Sequence, residues 1–126
     1  MNKIIIFNQN KLQGYQIISI VGLLPYAITI FYYKSIIGFI AFFNGLFYWA
    51  TLSKFFRYLD VLCNMFIIIF VNIFSNYQPE TFYYTLIGIS SWSLNYHNDY
   101  NIKSSLFHAI MVQCTIGYGV WHYIAQ

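Results

Sequence analysis

VLCNMFIIIFVNIFSNYQP, residues 61–79, is a run of 19 residues without a single charge, closed at its two ends by Asp60 and Glu80. A helix rising 1.5 Å per residue needs about 20 residues to cross about 30 Å of hydrocarbon. The run is therefore long enough and apolar enough for one passage of a bilayer. Similar runs lie on both sides of it. Lys11 and Lys34 enclose 22 uncharged residues, Lys34 and Lys54 enclose 19, Glu80 and Asp99 enclose 18, and 23 residues follow Lys103. The sequence thus predicts an all-α, polytopic bundle of about five transmembrane spans, approximately residues 14–33, 35–53, 58–75, 81–96 and 104–124. These make one integral membrane domain, 1–126.

Composition points the same way. Hydrophobic residues make up 60% of the chain and charged residues 7%, against about 25% charged in an ordinary soluble domain. A soluble fold of this size leaves too much area in water to hide so much apolar surface. The net charge of +3 rests on six basic groups scattered along the chain. No basic patch forms, which argues against nucleic acid as a partner. The two cysteines, Cys63 and Cys114, fall inside expected spans, where a thiol behaves as a small apolar group. At the start, the apolar run Ile4 to Phe7 is cut by Asn8, too short for the core of a secretory signal. The bias to Ile, Phe, Tyr, Asn and Lys is that of an AT-rich genome, organellar or viral, and favours an organellar inner membrane such as the mitochondrial one, with a viral or other cellular membrane as the alternative.

Five spans place Lys3, Lys11, Lys54, Arg57 and Lys103 on one side and Lys34 alone on the other. The positive-inside rule then puts the N-terminus on the cytoplasmic or matrix side. Pro25 lies inside the first span, where a membrane helix tolerates a kink. Tyr32, Tyr33, Trp49, Tyr58, Tyr77, Trp92, Tyr96, Trp121 and Tyr123 gather near span ends, as interfacial anchors do. Ala41, Gly45, Gly117 and Gly119 allow close helix approach.

Polar groups at membrane depth are the candidate functional residues. Asn44, Asn64 and Asn72 suit interhelical hydrogen bonds. Asp60, expected in the first turn of the third span, has Arg57 three residues earlier as an interfacial partner. His97 ends the fourth span and His108 lies one turn inside the fifth, both on the side of Asp60. Asp60, His97 and His108 are the candidate metal ligands, since two imidazoles and a carboxylate suit zinc. His122 lies beside Trp121 and Tyr123 in the opposite aromatic belt. No residue pattern marks a nucleophile or a phosphate loop.

Asp60 opening a span, Tyr48-Trp49 near the end of the preceding span, and His108 entering the last span resemble the CREST superfamily of membrane hydrolases. That group includes alkaline ceramidases and adiponectin-receptor-like proteins, and the resemblance implies zinc held among transmembrane helices. The family pattern has a serine and a histidine in an early span, an aspartate in the next, and an HxxxH pair in the last. Here Tyr48 stands at the early histidine and Val112 at the second histidine of the pair, so two ligand positions are lost. The chain also has five expected spans where the family has seven.

Three functions follow as expectations. The first is a non-catalytic membrane subunit, without a cofactor, packed among other subunits of a larger complex such as a respiratory or ATP-synthase assembly. The second is a zinc-dependent lipid hydrolase. The third is a small transporter or channel, with Asn44, Asn64 and Asn72 facing its path.

Overall fold

The computed structural model describes residues 12–126, all of whose regular structure is helical. Lys3 and Lys11, counted above on the positive side, lie outside the described residues. Helices α1 (Gly14–Val21) and α2 (Leu24–Tyr33) form one broken rod. The break follows from Pro25, which has no N–H to offer the carbonyl four residues back and whose ring crowds it. That carbonyl belongs to Val21, the last residue of α1. Lys34 in the left-handed conformation turns the chain into α3 (Ile36–Thr51), whose N-cap Ser35 accepts a hydrogen bond from the Gly38 amide. Leu52 makes a second left-handed turn, and α4 (Lys54–Phe74) starts at once.

The helix thus begins four residues before the expected third span of 58–75. Asp60 lies in the second turn of α4 and not the first, because the chain turns at Leu52 before Lys54 and Arg57. Helix α5 (Pro79–Asn95) opens on a proline, at home in a first turn whose N–H groups lack partners. The last rod consists of α6 (Ile102–Phe107), a π-helical segment (His108–Gln113) and α7 (Cys114–Ile124). The expected fifth segment is therefore helical throughout but not one regular α-helix.

The five rods alternate in direction. Tyr15 in α1, Tyr48 and Trp49 at the end of α3, and Tyr100 after α5 meet at one end. At the other end His122 of α7 donates from Nδ1 to Gln78 Oε1 (3.1 Å), just before α5. Two rods, Gly14–Tyr33 and Lys54–Phe74, are long and apolar enough to cross a membrane. The third, α3, is apolar but has only 16 residues.

Small residues set the helix spacing. Gly45 faces the Leu23 side chain, Gly117 faces Pro25, and Gly88 faces Ile116 and Thr115. On α5 the residues Thr81, Thr85 and Gly88 repeat at helical spacing and are buried. Thr81 Oγ1 donates to the Gly119 carbonyl (3.1 Å), and Asn72 Nδ2 of α4 donates to Thr85 Oγ1 (3.0 Å). Asn72 thus makes the interhelical bond expected of it.

The interior mixes an apolar core, including Leu23, Ile68, Val71, Val112 and Val120, with buried polar groups. Six of the eight largest fully buried side chains are polar: Gln16, Ser19, Thr29, Thr81, Thr85 and Ser105. Meanwhile Phe31, Ile36, Phe66, Phe74 and Leu94 are each at least 65% exposed. An isolated large apolar residue on a surface needs no explanation, but apolar surface of this extent does.

Candidate functional site

Asp60 and Asn64 are four residues apart on α4, which puts them on one face. Asn64 Nδ2 donates to both the Asp60 carbonyl (2.8 Å) and the Asp60 carboxylate (2.9 Å). The hydrogen bond expected to cross between helices therefore stays within α4. Arg57 also takes another partner than the one expected. Its guanidinium carbon lies 4.8 Å from the centre of the Tyr96 ring, a cation–π contact.

This face of α4 looks onto two adjoining cavities. The outer one, of about 60 Å³, opens near the 96–101 loop. The inner one, of about 80 Å³, reaches toward Leu23, Tyr26 and Ile116. Asp60, Val61, Trp92 and His108 line both and so mark their junction. Asp60 is the single carboxylate residue among the described residues lining either cavity.

His108 comes to this junction as the first residue of the π-helical segment, its ring 5.4 Å from that of Trp49. A π-helical turn carries an extra residue, which shifts the faces of α6 and α7 relative to one another. Gln113, the last residue of the segment, lines the inner cavity. Across from it sits Gly22 at the break of the first rod. A Cβ on Gly22 would stand 2.1 Å from Gln113 Oε1 and 2.9 Å from Ala109 Cβ. The two irregular turns of the bundle thus press on one another beside the inner cavity.

The outer cavity has aromatic walls. Tyr48 and Trp49 of α3 form one, with Tyr100 laid against them; the Trp49 and Tyr100 ring centres are 5.4 Å apart. Trp92 and Tyr96 of α5, 5.1 Å apart, form the other. The Tyr48 and Tyr100 hydroxyls hydrogen-bond to each other. Burial, and after it the Tyr15 phenol, raises the Tyr100 pKa above the ordinary phenol value. Tyr100 therefore stays a neutral hydroxyl. Behind this wall Gln16, fully buried, donates from Nε2 to the Trp49 carbonyl (2.7 Å) and fixes the end of α3 against α1.

Of the three candidate metal ligands, Asp60 and His108 come together and His97 does not. His97 is exposed beyond α5, beside Tyr96, and lines neither cavity. Among the described residues no group of three or more His, Cys, Asp or Glu side chains could hold a metal ion. A protein zinc site takes three or four such ligands, so the donors present do not fit one. Tyr48 lines the outer cavity, Val112 the inner, and Asp60 and His108 both. His122 bonds to Gln78 at the far end, and Cys63 and Cys114 are free thiols.

Tyr26, Tyr100, Gln16 and Gln113 are site residues that the sequence reading passes over. The signal for Tyr100 is an aromatic residue within the most polar loop of the chain. The two glutamines interrupt otherwise apolar segments without bringing a charge. Comparison with protein-family models, with curated proteins and with solved structures finds no match to this chain.

Proposed function

We propose that the chain is a five-span integral membrane protein, with its positive loops on the cytoplasmic or matrix side, that serves as a non-catalytic subunit of a larger membrane assembly. The observation that carries this reading is the apolar outer surface, with Phe31, Ile36, Phe66, Phe74 and Leu94 exposed, around an interior that mixes apolar side chains with amides and hydroxyls. In lipid, helices associate through small residues and interhelical hydrogen bonds, since apolar burial drives nothing there. The buried Thr81, Thr85, Gly88 and Gly119 between α5 and α7 follow that rule.

Two features favour partners in the bilayer. Helix α3, with 16 residues, is about 24 Å long and α5, with 17, about 26 Å, both short of about 30 Å of hydrocarbon. Short spans are relieved by thinning the bilayer, by snorkelling or by association. Ser90 and Ser93 are exposed on one face of α5, where hydroxyls gain from a neighbouring helix. The composition supports an organellar inner membrane as the setting.

Native electrophoresis in mild detergent tests the proposal. The chain is expected to migrate in a complex several times its own mass of 14.9 kDa, and that complex is expected to shrink or vanish on deletion of the gene. Migration as a lone monomer from freshly solubilised membranes would overturn the reading.

A further inference from the structure

The outer cavity combines three things: an aromatic lining, a single carboxylate among the described residues, and a cation seated on one of the rings. Tyr48, Trp49, Tyr100 and Trp92 line it, and Asp60 lines both it and the inner cavity. Tyr96, next to Trp92 in the same wall, holds Arg57 4.8 Å from its ring centre. Aromatic faces carry a negative quadrupole that attracts cations, most strongly when water is excluded. Cages of such rings are the usual means by which proteins hold quaternary ammonium groups, whose methyls bar hydrogen bonding and leave ring contact and a nearby carboxylate as the available attractions.

We propose that this cavity binds a quaternary ammonium group, of which choline is the simplest biological carrier. The trimethylammonium head would lie between Trp49 and Trp92 with its charge toward Asp60. Arg57, at the same cavity, is placed for the phosphate that follows choline in phosphocholine, since guanidinium forks match phosphate oxygens. The group could arrive as a free solute or as the head of a phosphatidylcholine molecule, and the chemistry of recognition is the same for both. The site stands apart from the subunit proposal, because it needs only the interior of this one chain.

The test is Trp fluorescence of the purified chain in maltoside micelles, in a Trp121→Phe background so that Trp49 and Trp92 report alone. Choline, phosphocholine and tetramethylammonium are the probes, with ammonium ion as the control for charge without methyl groups. Saturable change with the methylated cations and at least fivefold weaker response to ammonium is expected. Trp92→Leu and Asp60→Asn should each weaken choline binding by about tenfold, and Tyr100→Phe, which keeps the ring, by less than threefold. Circular dichroism and gel filtration establish that each variant is folded; Asp60→Asn, an isosteric change on a half-buried residue, serves if Trp92→Leu is not. In parallel, thermal stability is compared in nanodiscs of phosphatidylcholine and of phosphatidylethanolamine. A response to free choline assigns a solute, and a higher midpoint in phosphatidylcholine that disappears in Asp60→Asn assigns the lipid head. Absence of both responses, or responses that Asp60→Asn leaves unchanged, overturns the proposal.

Discussion

At Gly119 an added Cβ would stand 3.0 Å from Thr85 Cγ2, 3.1 Å from the Thr81 carbonyl oxygen and 3.4 Å from the Thr85 amide. Two of these three are backbone atoms, which cannot swing aside. Gly119→Ala therefore pushes α5 from α7, and an overpacked contact of this kind costs about 1–3 kcal/mol. Gly14 is the control, because its added methyl meets only the Ile102 side chain at 3.7 Å, an ordinary contact. Thermal midpoints in one detergent should fall for Gly119→Ala and hold for Gly14→Ala; equal midpoints would sink the argument. The Asn72–Thr85 bond is a second case. A double-mutant cycle with Asn72→Leu and Thr85→Val should return a coupling of about 0.6 kcal/mol, the mean for membrane hydrogen bonds, and a zero coupling would make the bond decorative. Asn72 and Gly119 were legible in the sequence as packing residues. Asn64 was misread, since an amide four residues from a carboxylate finds its partner on its own helix first. Gln16 and Gln113 were not legible, because a segmentation drawn from charges is blind to neutral amides.

The elements divide in the same way, into those that local chemistry dictates and those that a neighbour imposes. The break of the first rod after Val21 follows from Pro25, and all five apolar segments are helical, although α4 takes Lys54, Arg57 and Asp60 into its first two turns. The π-helical segment His108–Gln113 has no sequence signal: it contains neither proline nor glycine. Its place opposite Gly22 suggests that the extra residue reconciles two packings, α6 against α1 and α7 against α5. Removing Ile110, an exposed residue of the segment (58%), tests this. The deletion should restore a regular helix and rotate α6 by about 100° relative to α7. The Thr81–Gly119 bond and the Gly88 contact hold α7, so α6 should be the part that turns, taking His108 from Trp49. In the parent, His108→Gln should alter Trp49 emission; in the deletion variant it should not. Persistence of that change would show that α6 keeps its register and the segment has another origin.

For the whole molecule, the arrangement of ends fixes what a topology experiment must find. Tyr100 packs on Trp49 and Tyr15, and Arg57 lies on Tyr96, so the start of α1, the α3–α4 turn and the α5–α6 loop share one end. Lys54, Arg57 and Lys103 belong to that end. Lys34 lies across the length of α3, at the end where Gln126 Nε2 donates to Gln78 Oε1. Alternation of five rods was legible from the charges because they fall at or near helix ends: Lys34 and Asp99 between helices, and Lys54, Arg57, Asp60, Glu80 and Lys103 within the first two turns of α4, α5 and α6. The interior cavity was not, since it depends on how α4 is rotated about its axis, and three asparagines do not determine that rotation. If the bundle crosses a membrane as a unit, the positive-inside rule puts the Lys54–Lys103 end on the cytoplasmic or matrix face. With Cys63 and Cys114 replaced by Ala, single-cysteine variants Lys103→Cys and Gln126→Cys report the two ends. A membrane-impermeant maleimide added outside sealed vesicles of native orientation should label Gln126→Cys and leave Lys103→Cys untouched until the membrane is opened. Labelling of both from one side would mean that the last rod does not cross, and that the two helices longest and most apolar, Gly14–Tyr33 and Lys54–Phe74, anchor a bundle that otherwise lies on the membrane surface.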